Sequence, residues 1–299
     1  MKAPGLLNTI WKKKISYALI APFVIIFAVF TIAPVVMAIC LSFTSFNVLE
    51  LPRFNGLYNY AYLIMEDELF FKSFGNTMLL AVFIGPVGYL LNLFFAWLIN
   101  DLPVRLRSFV TLIFYAPSIS GNVLLIWTVI FSGDSYGFLN GFLLSNGFIG
   151  QPIRWLQNPQ YMMAIVIMVS LWSSLSTSFL AFIAGFQGVD KTLYEAAAVD
   201  GMKNRWQELW FITLPSMKST LIFGSVMSIT GAFGVGTIMN QLCGFPSQDY
   251  AVNTLMNMLL DYGGMRFEMG YASAIATFLF VLTIAANMLF KRIIRMVGT

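Results

Sequence analysis

Residues 190–215 read DKTLYEAAAVDGMKNRWQELWFITLP, a polar island between two apolar runs, 161–185 and 219–241. Asp190, Lys191, Glu195, Asp200, Lys203, Arg205 and Glu208 all fall within it, whereas the flanking runs contain no Asp, Glu, Lys or Arg. About 20 apolar residues suffice to cross some 30 Å of hydrocarbon as a helix, and both flanks reach that length. A charged segment with its own helix signals, caught between two such runs, makes the chain a membrane protein with an element projecting into water.

Four further charge-free runs lie outward of this stretch, at about 17–43, 75–99, 109–131 and 271–290. Only 10% of the 299 residues are charged and 59% are hydrophobic, against about 25% charged in ordinary globular domains, which excludes a water-soluble fold. The expectation is an all-α membrane protein of six transmembrane helices. Basic residues set its orientation. With the N-terminus inside, the cytoplasmic segments hold 13 of the 17 Lys and Arg, and the outer segments only Arg53, Lys72, Arg154 and Arg266. Both termini are therefore expected in the cytoplasm. The +4 net charge reflects this asymmetry, and no nucleic-acid partner is implied.

The chain divides into a basic cytoplasmic arm (1–16), a six-helix membrane domain (17–290) and a cytoplasmic tail (291–299). Three lysines precede the first run, but its apolar stretch far exceeds the roughly 7–15 residues of a signal peptide, so it reads as an uncleaved anchor. Residues 44–74, 132–160 and 242–270 are expected outside; within the last, Ala251–Leu260 is too short to span and reads as a partly inserted or loop-capping helix. Cys40 and Cys243 form neither a metal nor a redox pattern. Pro22, Pro34, Pro86 and Pro117 interrupt the runs, and Gly224, Gly231, Gly234 and Gly236 crowd the fifth. Helix packing accounts for such residues; flexing points in a pathway are the functional alternative.

Within the polar island, Asp190 is placed to cap a helix from Lys191 to Asp200. Ala196–Ala198 give that helix high propensity and a nearly bare side, and Gly201 stands where a left-handed terminator belongs. A second helix, about Asn204 to Thr213, carries Trp206, Leu209, Trp210 and Ile212 at helical spacing and is followed by Pro215. An amphipathic hairpin lying on the inner leaflet is the plain reading. Against it, the first helix offers only Lys191 to the lipid; a bare alanine face with one carboxylate, Glu195, suits a protein partner better.

The segment resembles the EAA motif of permease subunits of bacterial ABC importers, by which the membrane subunit grips its ATPase. Glu195, Ala196, Ala197 and Gly201 match its first half, with Asp200 beside them, and Ile212, Leu214 and Pro215 match its end. Ten residues separate Gly201 from Ile212 where the family pattern has nine. Further likeness points to the carbohydrate branch: Phe54-Asn55-Gly56-Leu57-Tyr58-Asn59-Tyr60, Asn76-Thr77, Tyr115-Ala116-Pro117, and, in part, Cys243-Gly244-Phe245-Pro246. The chain looks like the first of two permeases in a maltose- or oligosaccharide-type system. That resemblance implies a second related permease, two ATP-binding subunits or domains, an external sugar-binding protein, and a place in the bacterial plasma membrane.

The sequence has no Gly-x-x-x-x-Gly-Lys-Ser/Thr loop, so ATP hydrolysis is assigned to partners and no cofactor is expected. With no histidine there is no His-based metal site, triad or proton relay. Charge-free spans argue against the rival reading, an ion-coupled secondary transporter, which keeps acidic groups at mid-membrane. A phosphorylated cargo such as glycerol phosphate is disfavoured because no span offers Arg or Lys. A neutral sugar fits a path of hydroxyls beside aromatics, with Trp172, Ser176 and Phe233 as candidate path residues; interhelical hydrogen bonding, worth about 0.6 kcal/mol on average, is the alternative.

Overall fold

The computed structural model describes residues 14–120, 123–175 and 177–296. Ser176 and residues 1–13, 121–122 and 297–299 lie outside them. The helices are α1 (Lys14–Leu41), α2 (Tyr58–Met65), α3 (Glu68–Asn100), α4 (Val104–Ile119), α5 (Leu124–Ile130), α6 (Phe138–Ser145), α7 (Pro159–Ser173), α8 (Thr177–Gln187), α9 (Lys191–Val199), α10 (Arg205–Glu208), α11 (Lys218–Phe233), α12 (Gly236–Cys243), α13 (Leu255–Leu260) and α14 (Met269–Arg295). A two-residue ribbon, β1 (Thr44–Ser45) with β2 (Arg53–Phe54), pairs Thr44 with Phe54.

Three helices, α1, α3 and α14, are each long and apolar enough to cross a membrane. Two more spans result if the bent pairs α7–α8 and α11–α12, each angled by more than 40°, count as one apiece. The run 109–131 is carried by α4 and α5 together.

Proline explains several irregularities. It has no N–H and its ring crowds the carbonyl one turn earlier, so the ladder opens to π geometry nearby. Such turns lie at Ala28–Ile32, just before Pro34, and at Phe83–Val87, around Pro86. A third, Leu209–Thr213, precedes Pro215. The second polar-island helix consequently runs on through Leu214–Ser216 instead of stopping before the proline, and the Ser216 hydroxyl donates to the Ile212 carbonyl at 2.6 Å.

Small residues set how closely the bundle packs. A Cβ on Gly224 would stand 2.4 Å from the Phe182 ring, and one on Gly85 2.8 Å from Ile229 Cδ1. Phe179 and Phe182 of α8 are fully buried in a cluster with Tyr89, Leu221 and Phe186. The bend between α7 and α8 frees carbonyls that lipid cannot satisfy, and neighbours supply the donors. Asn92 Nδ2 donates to the Ser174 carbonyl at 3.0 Å and to Ser178 Oγ at 2.9 Å, and the Ser118 hydroxyl donates to the Leu175 carbonyl at 2.9 Å.

At the end of the bundle opposite the polar island, loops are fastened by side chains. Asn76 Nδ2 donates to the carbonyls of Ala251 and Asn253, while Thr77 Oγ1 accepts from the Leu255 N–H at 2.9 Å. These bonds seat α13, the loop-capping helix, whose start is a Thr254–Asn257 capping box. Buried Asp67 caps α3 by accepting from the Leu69 and Phe70 N–H groups and takes the Tyr271 hydroxyl at 2.6 Å.

Candidate functional site

The polar island folds as two helices meeting at a tight turn. Asp190 accepts from the Thr192 N–H at 3.0 Å, and that bond holds its carboxyl below the usual carboxylate range. At the other end, the Met202 N–H reaches the Ala197 carbonyl and the Gly201 N–H reaches the Ala198 carbonyl. These two bonds are a Schellman closure, with Gly201 in the left-handed position at φ +90°. Asn204 caps α10 through the Trp206 N–H.

Two ties hold this pair: one joins its helices to each other, and the other fixes it to the bundle. The Tyr194 hydroxyl and Thr213 Oγ1 lie 2.8 Å apart, and Thr213 also donates to the Glu208 carbonyl at 3.1 Å. Arg205 pairs with Asp101 at the end of α3 and lies over the Trp97 ring at 5.0 Å, while Trp97 and Trp206 meet at 4.7 Å. Spacing alone revealed neither tie, because their partners come from different helices. Between α3, α8 and the two short helices is a cleft of about 530 Å³ lined by Asp101, Arg107, Lys191, Tyr194 and Glu208.

Of the sequence-selected residues here, Ala197 is buried inward, as are Thr213 and Leu214, with Ile212 and Pro215 half-buried. Glu195, Ala196, Asp200 and Gly201 are exposed, beside Ala198 and Val199, the latter 88% exposed. α9 and its terminator thus present methyl groups, backbone and two carboxylates, Glu195 and Asp200, to solvent. That surface can seat a complementary protein closely, with Glu195 free for a cation.

Trp172, at the end of α7, is half-buried and meets Trp127 at 5.4 Å, edge to face. Phe233 is 6% exposed, packed with Ala81 and Ile229. Ser176 lies outside the described residues.

Helices long and apolar enough to cross a membrane, with a capped helix pair anchored at one end of the bundle, define a multi-helix membrane protein. The family described as binding-protein-dependent transport system inner membrane component matches residues 102–298, and the chain belongs to it. It is a permease and not an enzyme, a multi-pass protein of the inner membrane. It is 34% identical to the probable ABC transporter permease protein YesP of Bacillus subtilis strain 168, over 89% of this chain and 85% of that one. It is 30% identical to the arabinooligosaccharides transport system permease protein AraP of the same organism, over 93% and 88%. The fold is shared with a crystal structure of a bacterial ABC transporter involved in import of the acidic polysaccharide alginate. The TM-score is 0.77, covering 98% of this chain and 99% of that one at 24% identity.

Proposed function

We propose that this chain is the first of two permeases in an ATP-driven importer of a neutral oligosaccharide. Six spans, with both termini in the cytoplasm, form half of the path. The helix pair 190–215 is the coupling segment, taking ATPase motion through Glu195, Ala196, Ala197, Asp200, Gly201, Ile212, Leu214 and Pro215. ATP closes the paired ATPase subunits, α9 moves with them, and the bundle opens outward; hydrolysis returns it inward. An external binding protein delivers the sugar, which passes Trp172, Ser176 and Phe233.

The observation that carries this reading is the exposed backbone-and-methyl face of α9, held rigid by the Gly201 closure and by Tyr194–Thr213. A face of that kind is costly to leave in water and is built for a partner. The carbohydrate cargo draws support from the arabinooligosaccharide relative and from spans without a cation for phosphate.

The test is mild-detergent purification of the tagged chain from native membranes, with mass spectrometry of its companions. An ATPase and a second permease are expected, the ATPase being lost on Gly201→Asp. A chain that purifies alone, or one whose Gly201→Asp variant transports like the parent, overturns the coupling assignment.

A further inference from the structure

At the end of the bundle opposite α9, a pocket of about 600 Å³ opens between the end of α5, the turn 154–157 and the end of α12. Small-molecule sites have this size, commonly with an apolar floor and a few convergent polar groups. Here Phe131 and Leu242 form the buried floor, and Asp134, Arg154 and Gln157 stand at the rim. Among the described residues, the side chains of Arg154 and Gln157 have no hydrogen-bond or ion-pair partner; Asp134 takes only the Ser132 hydroxyl, at 3.0 Å.

Behind the floor lies a row of aromatic rings packed into the core. Phe131 stacks on Trp127 at 5.9 Å, with planes 14° apart, and Trp127 meets Trp172 at 5.4 Å. Outward, Phe131 meets Trp155 at 6.5 Å, and Trp155 meets Tyr161 at 5.2 Å. The row therefore runs from the outer loops to the bend between α7 and α8. A buried indole N–H ordinarily finds an acceptor, yet Trp127 Nε1 is buried with none.

We propose that this pocket is an outer sugar subsite. One pyranose or furanose unit lays its C–H face on Phe131, and its hydroxyls bond Asp134, Arg154 and Gln157. The proposal rests on the carbohydrate reading above. Aromatic faces carry the negative side of the ring quadrupole and suit the C–H edges of a sugar. Carboxylate, guanidinium and amide together offer both donors and acceptors, as hydroxyls require. A dedicated anion site would instead exclude Asp134.

The test uses the complex in proteoliposomes, the permease with its partners, and a panel of neutral di- to pentasaccharides of arabinose, galactose or glucose. The member that supports ATP-dependent uptake becomes the probe. Arg154→Ala and Phe131→Leu are each expected to cut uptake about tenfold at subsaturating sugar, with Phe131→Tyr restoring most of it. In a Cys40→Ser, Cys243→Ser background, Gln157→Cys is labelled with an impermeant methanethiosulfonate. The probe sugar should slow that labelling several-fold and leave a Ser135→Cys control unchanged. Normal uptake by the variants, with labelling indifferent to sugar, overturns the subsite alone. A panel in which nothing is taken up overturns the carbohydrate reading, and the subsite with it.

Discussion

Gly201 holds φ at +90°, and nothing lies within 4 Å of where its Cβ would stand. A side chain there is opposed by backbone strain rather than by a clash, at about 1–2 kcal/mol for an ordinary residue and less for Asn or Asp. Comparing Gly201→Asn with Gly201→Asp therefore separates strain from charge. Asn is expected to retain the ATPase in a pull-down and Asp to lose it. Asp190 gives a second test. Its folded carboxyl titrates below its unfolded value, so the α9 cap is fully present above the unfolded pKa and fades as pH falls through the folded one, below about pH 4. Exchange of the Thr192 amide, corrected for its intrinsic rate, should accelerate there in the parent and be flat in Asp190→Asn. Cap and terminator were both legible from the sequence, because each acts within three or four residues. Tyr194 with Thr213, and Arg205 with Asp101, were not; only the folded chain brings those partners together.

Where two helices meet, sequence shows the small residue but not its neighbour. Gly224 reads simply as one of four glycines in the fifth run, yet it alone of those four would put a Cβ 2.4 Å from the Phe182 ring. Gly224→Val should destabilise the bundle by about 1–3 kcal/mol through overpacking, read as a lower midpoint in a detergent melt. Phe182→Leu in the same chain should recover part of that loss. Asn92→Leu should cost a similar 1–3 kcal/mol, because it leaves the Ser174 carbonyl without its donor in a dry interior. Hydrophobic runs located α1, α3 and α14, but not the bends elsewhere, since composition does not record where a ladder opens. Pro215 illustrates this: the residue type suggested an end, and a π turn carries the helix past it.

For the molecule as a whole, the distribution of Lys and Arg makes orientation testable. Reporter fusions at residues 1 and 299 should both report cytoplasm, and fusions near 150 and 248 the outside. Uptake should stop when ATP is depleted and persist when the ion gradient is collapsed; the reverse would make the protein a secondary transporter. Composition also gave the class, because six charge-free runs separated by short charged segments leave few architectures. The aromatic row was not apparent, as Trp127, Phe131, Trp155 and Trp172 sit on three separate stretches of chain.

The bend between α7 and α8 bears on biogenesis. Neither half is long enough to lodge stably in a bilayer, at 15 and 11 residues, and the joint between them carries the bare carbonyls of Ser174 and Leu175. Both groups that answer them, Asn92 and Ser118, lie upstream in the chain. Because synthesis proceeds from the N-terminus, these donors are already made when the joint emerges. The order of the gene thus acts as an assembly instruction, in which a segment unfit to insert by itself is translated only after the residues that make it fit.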